Sequence, residues 1–204
     1  MMEKFGKCSA SLYDLFLCSG FGPEARFRQR TVELCRAGLG EKILELGCGT
    51  ARSSETLLRS HPGAFEMTGL DLSRHMLGRA AKNCAGLDIN FVIADAGSIP
   101  FADHSFDRVV AVLAFHEMPA PVRASALSEC SRILRPGGSL VAVEYRRPDN
   151  MLLRIVHRSL FFEGPSLQEM LAAGLDNEIK STGLKIAGCK IFGWGIFEVI
   201  IAIK

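Results

Sequence analysis

A short glycine turn next to a carboxylate is the first chemical signal in this sequence. Glu45-Leu46-Gly47-Cys48-Gly49-Thr50 places an acid two residues before a Gly-x-Gly turn. Glycines at such a turn let a ligand approach the backbone, and a helix that starts next presents its N–H groups. The charge of Glu45 would repel a pyrophosphate and attract a cationic amino-acid group. A dinucleotide fingerprint would also place a third glycine at position 52, where this sequence has Arg52.

Two further acids occupy equivalent positions in the next two strand-like segments. Asp71 ends the run Gly69-Leu70-Asp71, and Asp95 follows the run that begins at Ile89. A carboxylate at the end of the second strand can accept hydrogen bonds from both hydroxyls of a ribose. Each acid taken alone could simply cap a helix. Three acids in register with a glycine turn instead favour a ligand crevice at the carboxyl ends of parallel strands.

The segments that position these residues alternate between strand and helix patterns. Strands that are apolar on both faces indicate a parallel sheet covered by helices on both sides. Amphipathic patterns predict helices over Ser73–Ala85 and Pro121–Arg135, the second ended by Pro136-Gly137-Gly138. The predicted strands of this part are Lys42–Leu46, Glu66–Asp71, Ile89–Asp95, Phe106–Leu113 and Ser139–Tyr145.

The last third of the chain adds helices and a hairpin. Helices are predicted over Asn150–Phe162 and Ser166–Lys180, followed by strands over Leu184–Phe192 and Phe197–Lys204. The short connection between these two strands makes one of them antiparallel to the rest. We therefore predict an α/β fold with a Rossmann-like, doubly wound, seven-stranded and mostly parallel sheet, helices on both faces and an antiparallel terminal strand. The whole of residues 1–204 is expected to form one domain, with a helical cover over 1–40, a cofactor-binding core over 41–145, and substrate-side helices and the terminal hairpin over 146–204.

Composition narrows the class of protein. The 24 basic and 22 acidic residues give a net charge of +2, which argues against a nucleic-acid partner. Seven cysteines without a C-x-x-C pair predict reduced thiols and no metal site. With no signal-peptide core or membrane-length apolar run, a cytoplasmic location without a transmembrane segment is expected.

These motifs together resemble those of class I S-adenosylmethionine-dependent methyltransferases, most closely the type-11 group with the ubiquinone/menaquinone C-methyltransferases. The resemblance is carried by Ile43–Thr50, Leu70–Ser73, Asp95–Asp107 and Leu134–Gly138. It implies S-adenosyl-L-methionine as cofactor, S-adenosylhomocysteine as product, and a small-molecule methyl acceptor. The cofactor-binding residues that the resemblance implies are Glu45, Gly47 and Gly49 (methionine part), Asp71 (ribose), Leu72 and Met76 (adenine), Asp95 and Ala96 (adenine amino group and ring), and Leu113 and Ala114 (sulfonium). The sequence departs from the family at Ala51, where glycine is common, and at Arg52, which we expect to point to solvent.

The acceptor side is less defined. His116, after the fourth strand, could orient the acceptor or take its proton, because its pKa lies near neutral pH; alternatively it packs as an ordinary loop histidine. Neither an Asn/Asp-Pro-Pro-aromatic motif nor a Pro-Cys dipeptide occurs, so nucleic-acid bases are not expected as acceptors. The basic amphipathic pattern over Asn150–Phe162 could contact a membrane surface, although such a helix more often packs its apolar face on the sheet with its charges solvated. The N-terminal aromatics Tyr13, Phe16 and Phe21 could close the acceptor cavity or belong to the core. Where they close the cavity, an apolar, aromatic or lipid-like acceptor is expected.

Two other functions fit parts of the pattern. A nicotinamide-dependent oxidoreductase shares the glycine turn, although Glu45 and the missing third glycine disfavour it. A protein that binds S-adenosylmethionine without catalysis would carry the same cofactor motifs, because a fold alone does not guarantee activity.

Overall fold

A computed structural model gives the fold. It describes residues 37–147, 149–150, 164–192 and 195–204, together with Gln29, Thr31, Glu33 and Cys35, which are helical. Within these residues no helix is both long enough and apolar enough to cross a membrane. The N-terminal aromatics and nearly all of the basic amphipathic segment predicted over Asn150–Phe162 lie outside the described residues.

The centre of the molecule is one seven-stranded sheet with the order β3-β2-β1-β4-β5-β7-β6. Strands β1 to β5 run parallel, and β7 is antiparallel to both of its neighbours, β5 and β6. This confirms the predicted doubly wound sheet and terminal hairpin. The strands are β1 Lys42–Leu46, β2 Glu66–Asp71, β3 Ile89–Ile93, β4 Phe106–Val112, β5 Leu134–Tyr145, β6 Lys185–Phe192 and β7 Phe197–Ile203.

Helices connect the strands and cover the sheet. Ser73 caps α2 by accepting a hydrogen bond from the Met76 amide, as its position before the helix predicts. A 3-10 turn over Phe115–Glu117 follows β4. The helices with described bounds are α1 Arg52–Ser60, α2 Arg74–Asn83, α3 Ala120–Ile133, α4 Pro165–Ala173 and α5 Leu175–Ser181.

The strand order places a crevice at the point where the chain changes direction across the sheet. From β1 the chain goes outward through β2 to β3 on one side, and then returns to β4 on the other. Connections leave in opposite directions from β1 and β4, so their carboxyl ends border an open space in which α/β sheets bind ligands. We call this space the switch-point crevice; Gly47, Asp71 and Ala114 border it.

Several strand and helix ends differ from the prediction by one or two residues, and the structure corrects two elements more substantially. The helix predicted to continue to Arg135 ends at Ile133, because Leu134 is already extended and pairs with Phe106 on β4. Pro136-Gly137-Gly138 therefore forms an irregularity inside β5 and does not follow a helix directly. The helix predicted over Ser166–Lys180 is two helices, since Gly174 adopts a φ of 79° and breaks the helical path.

A buried ion pair ties the helices of one face to the turn after β4. The Arg123 side chain on α3 is fully buried, and its guanidinium donates to both carboxylate oxygens of Glu178 on α5, at 2.6 and 2.8 Å. A third bond, of 2.8 Å, goes from Arg123 to the Met118 carbonyl oxygen. Arg123 thereby holds the end of the Phe115–Glu117 turn against two helices.

Candidate functional site

The glycine turn after β1 is shaped by backbone that side chains rarely tolerate. Gly47 and Gly49 have φ values of 63° and 54°, in the left-handed region. A Cβ on Gly47 would lie 2.8 Å from the Ala114 Cβ, whereas one on Gly49 would meet nothing within 4 Å. Gly47 is thus needed for close packing against the end of β4, and Gly49 leaves open space over the turn. Ala51, the departure from the family, is also left-handed, at φ 56°.

Asp71 holds the glycine turn from the neighbouring strand. Its Oδ2 accepts a hydrogen bond of 2.8 Å from the Gly49 amide, and its Oδ1 accepts one of 2.7 Å from the Ser73 amide. Each carboxylate oxygen keeps further lone-pair capacity. Asp71 therefore lies at the end of β2 with its carboxylate at the crevice, in a position to accept hydroxyl hydrogen bonds from a ribose.

Glu45 occupies a more buried position than the other two predicted crevice acids, Asp71 and Asp95. It is 3% exposed, and its Oε2 accepts hydrogen bonds from the Ser54 amide, at 3.1 Å, and from the Ser54 hydroxyl. Its charge therefore lies beneath the glycine turn, against the first turn of α1. Ser54 was missed by the sequence analysis, although a Ser in the first helical turn after an acid-Gly-x-Gly motif is a readable signal.

The residues expected around the adenine lie at the ends of β2 and β3. Leu72 is 51% exposed, an unusual exposure for a large apolar side chain, and Met76 on α2 is partly buried beyond it. Asp95 is exposed after β3, and its Oδ1 accepts a hydrogen bond of 2.8 Å from the Gly97 amide, while Ala96 is partly buried. Exposed apolar area beside a polar crevice suits the face of a planar base.

The end of β4 makes the opposite wall of the crevice. Leu113 has a φ of 52°, which is strained for a residue with a branched side chain, and its amide donates to the Val143 carbonyl oxygen at 2.8 Å. This turn brings the buried Ala114 against Gly47. Backbone strain of this kind is characteristic of functional sites, where the surrounding structure holds it in place.

His116 forms a pair that the sequence analysis missed. Its Nδ1 lies 2.9 Å from Oε2 of Glu144 near the end of β5, and Oε1 of Glu144 accepts a 2.6 Å hydrogen bond from the Phe115 amide. The Glu144 side chain is fully buried and that of His116 is 17% exposed. In the sequence, the only signal of this pair is an acid among the apolar residues of a central strand.

A series of neighbouring aromatic rings extends from His116 along the adjacent ends of β5, β7 and β6. Tyr145 lies edge-on to the imidazole with 5.0 Å between the ring centroids, and Phe197 lies 5.1 Å from Tyr145. Phe192 stacks on Phe197 at 5.6 Å. These rings come from the adjacent ends of β5, β7 and β6, so the surface beside His116 is apolar and aromatic.

Three carboxyl groups around the crevice, those of Glu45, Asp71 and Glu117, ionise less readily than they would in water. Burial raises the pKa of Glu45 to about 7 and also raises the pKa of Asp71, against the hydrogen bonds that each accepts. The pKa of Glu117 is raised by loss of solvation and by the charges of Asp71 and Glu144. Within the described part of the chain, no Lys or Arg forms an ion pair with these three acids, and no His/Cys/Asp/Glu cluster could hold a metal. The site therefore suits a ligand that brings its own positive charge.

The Glu45 pKa predicts a pH-dependent stability. Between pH 4.5 and about 7 the folded carboxyl holds a proton that the unfolded one has lost, so the stability contributed here falls as the pH rises. We expect Glu45→Gln to match the wild type near pH 4.5 and to exceed its free energy of unfolding by about 2–3 kcal/mol near pH 7. Urea denaturation across this range measures the difference. Glu66→Gln, at an exposed ion pair with Lys42, is the control and should leave the pH dependence of the free energy of unfolding unchanged. If Glu45→Gln showed the same pH dependence as the wild type, Glu45 would not have a raised pKa.

The doubly wound sheet, the glycine turn and the acidic crevice place the protein in the class of Rossmann-like folds with a ligand crevice at the switch point. Comparison with known proteins makes this specific. The methyltransferase domain family matches residues 43–138. A demethylmenaquinone methyltransferase of Thermus thermophilus is 35% identical, and the match covers 74% of this chain and 69% of that protein. A ubiquinone/menaquinone biosynthesis C-methyltransferase of Desulfotalea psychrophila is 32% identical, and the match covers 84% of this chain and 70% of that protein. The chain belongs to the class I S-adenosylmethionine-dependent methyltransferases, in the ubiquinone/menaquinone C-methyltransferase-like group.

A solved structure agrees on the fold. An S-adenosylmethionine-dependent methyltransferase from Aquifex aeolicus superimposes with a TM-score of 0.71 at 17% identity, over 98% of this chain and 99% of that one. Among eight similar relatives, the chain spans from 56% to 84% of their own lengths. The protein is thus an S-adenosylmethionine-dependent methyltransferase, and the nicotinamide-dependent and non-catalytic alternatives have no support. The sulfonium of the cofactor carries a positive charge, which would interact favourably with Glu45, Asp71 and Glu117.

Proposed function

We propose that this methyltransferase acts on a small, apolar acceptor with an aromatic, quinone-type ring. Relatives named for demethylmenaquinone support this proposal, as do the aromatic rings beside His116. The cofactor supplies a methyl group activated by attachment to a cationic sulfur. The observation that carries the proposal is the group of aromatic rings beside His116, formed by Tyr145, Phe197 and Phe192, because an apolar aromatic ring packs favourably against such rings.

The chain's own residues would then bind and align the cofactor. Asp71 would hold the ribose, and Leu72 and Met76 would contact the face of the adenine. Asp95 would accept a hydrogen bond from the adenine amino group, and the Ala96 amide would donate one to the adenine ring. Gly47, Gly49, Leu113 and Ala114 would let the methionine part and the sulfonium pass close to the backbone. Glu45 would act from beneath the turn through its charge and through its bonds to Ser54.

On the acceptor side, His116 would be the catalytic residue. It lies directly after β4, next to the residues proposed for the sulfonium, and is partly open to solvent. Alignment of acceptor and methyl group supplies much of the rate acceleration in such a displacement. We also propose a cytoplasmic location, in keeping with the free thiols of Cys35, Cys48, Cys84, Cys130 and Cys189.

Calorimetry with the purified protein tests the cofactor site. Asp71→Ala should weaken S-adenosylmethionine binding by about 1–3 kcal/mol, the scale of lost hydrogen bonds to a charged group. Asp88→Ala, an exposed acid just before β3, is the matched control and should bind as the wild type does. Unchanged affinity in Asp71→Ala, or binding of NAD in place of S-adenosylmethionine, would disprove the site.

A further inference from the structure

We infer that Glu144 and His116 act as one unit, in which Glu144 orients the imidazole so that its Nε2 takes a proton from a hydroxyl of the acceptor. This inference rests on the proposed function and extends it. Glu144 is a buried carboxylate with one oxygen on the His116 ring and the other on the Phe115 amide. A buried carboxylate in a central strand is costly unless its oxygens are bonded. Here both oxygens bond the same three-residue turn.

The pairing determines which ring nitrogen can accept a proton. An ionised carboxylate only accepts hydrogen bonds, so His116 Nδ1 must carry the hydrogen that lies between the two groups. In the neutral imidazole the other nitrogen, Nε2, is then the lone-pair acceptor. No residue in the described part of the chain hydrogen-bonds to Nε2. Among the described residues, the basic nitrogen is therefore available to a ligand.

The charges around the ring favour its protonated form. Burial by itself lowers the pKa of His116, but the hydrogen bond and the charge of Glu144, with the charge of Glu117, raise it overall. The charge of Asp71, at the end of β2, in turn raises the pKa of Glu117. Glu144 lies opposite Glu198 in the β5–β7 register. Tyr145 contributes the edge of its ring. Glu144 on β5 and Glu117 on the turn itself thus stabilise an imidazolium once it forms, whereas Glu198 has no direct contact with the ring.

The chemical step follows from this arrangement. The O–H bond of the acceptor breaks, its proton forms an N–H bond with Nε2, and the electron pair stays on the acceptor oxygen. In a hydroxylated aromatic ring this pair increases the electron density at the ring carbons, which makes one of them a better nucleophile for the methyl group. The new carbon–carbon bond would form as the bond between sulfur and the methyl group breaks and S-adenosylhomocysteine leaves. The attacked ring carbon would then lose its hydrogen as a proton to solvent, which restores the aromatic ring. The acceptor is accordingly a phenol or hydroquinone, and not a tertiary amine or thioether, which has no proton to give.

A purely structural role for Glu144 would be to hold the Phe115 amide. Glu144→Gln separates the two roles, because the amide oxygen of Gln can still accept from Phe115 while its NH₂ group faces Nδ1. A donor at that position favours the tautomer with the hydrogen on Nε2, which cannot act as a base. Exchange of an orienting acid for its amide in a comparable Ser-His-Asp triad lowers kcat by roughly 10⁴-fold.

The experiment combines ¹⁵N NMR of His116 with kinetics on a short-chain demethylmenaquinone kept reduced. In the wild type we expect the Nδ1–H tautomer and a pKa above that of a free histidine; in Glu144→Gln, a lower pKa and the other tautomer. The same variant should lose roughly 10²- to 10⁴-fold in kcat, with KM and S-adenosylmethionine affinity within about twofold of the wild type. Glu198→Gln, its register partner on β7, should leave the tautomer and kcat unchanged.

The possible outcomes separate this inference from the proposed function. A wild-type His116 with the Nε2–H tautomer or a lowered pKa overturns the inference without any variant. Full kcat in a folded Glu144→Gln does so too. Glu144→Asp, which retains the charge, should recover part of the lost rate. Absence of S-adenosylmethionine binding by the wild type would instead defeat the proposed function and leave the NMR result standing.

Discussion

Gly47→Ala is expected to lower the free energy of unfolding by about 3 kcal/mol and to weaken cofactor binding. The added Cβ would lie 2.8 Å from the Ala114 Cβ, a distance at which the backbone of one wall must shift. The left-handed φ of 63° adds about 1–2 kcal/mol for any residue with a Cβ, and the steric overlap about 1–3 kcal/mol. Chemical denaturation and calorimetric titration with S-adenosylmethionine measure the two effects.

The chain offers a control for each contribution. Gly49 has a similar φ of 54°, but a Cβ added there would have no atom within 4 Å. Gly49→Ala should therefore lower the free energy of unfolding only by the cost of the left-handed φ. The double variant Gly47→Ala/Ala114→Gly removes the colliding methyl group and should regain the steric part. Equal losses in the Gly47 and Gly49 variants would show that the contact with Ala114 is unimportant.

Arg123→Ala should be comparably destabilising, by about 3 kcal/mol, because it removes one partner of a buried ion pair. The variant leaves Glu178 and the Met118 carbonyl without their donor and opens space between α3 and α5. Thermal and urea unfolding measure the loss. Arg59→Ala, whose exposed guanidinium pairs with Glu55 on α1, is the matched control and should change stability by less than about 1 kcal/mol.

A double variant tests the reason for the Arg123 effect. If Arg123→Ala lowers the free energy of unfolding mainly because the Glu178 carboxylate loses its partner, the double variant Arg123→Met/Glu178→Leu should be more stable than Arg123→Ala. The reason is that apolar packing can replace a buried ion pair. A double variant less stable than Arg123→Ala would indicate that the helices depend on the ion pair itself.

Periodicity and local chemistry predicted most of the sheet. The β1 and β2 boundaries agree with the prediction, and the hairpin follows from two strands with a short connection. Asp71 and Asp95 lie at the ends of β2 and β3 as expected, because each follows an apolar run, and their binding roles stay a prediction. Local pattern misjudged Leu134–Gly138, where pairing with β4 outweighs the apparent end of a helix.

The acceptor side was harder to predict because its partners are distant in the sequence. His116 and Glu144 are 28 residues apart, and only the parallel pairing of β4 with β5 brings them together. Arg123 and Glu178 are separated by 55 residues on different helices. Nothing in the spacing of such pairs distinguishes a buried partner from a solvated charge, so single-sequence reasoning missed Glu144 as the partner of His116 and Glu178 as the partner of Arg123.

The insertion of β7 between β5 and β6 has a consequence for biosynthesis. Strand β5, which carries Glu144, has no neighbour on its outer side until residues 197–203 have left the ribosome. Until then the nascent polypeptide presents a bare row of backbone hydrogen-bonding groups beside apolar side chains, the kind of surface that chaperones shield and that otherwise aggregates. We therefore expect the hydrogen bonding of β5 around Glu144 to be completed only after β7 has been synthesised.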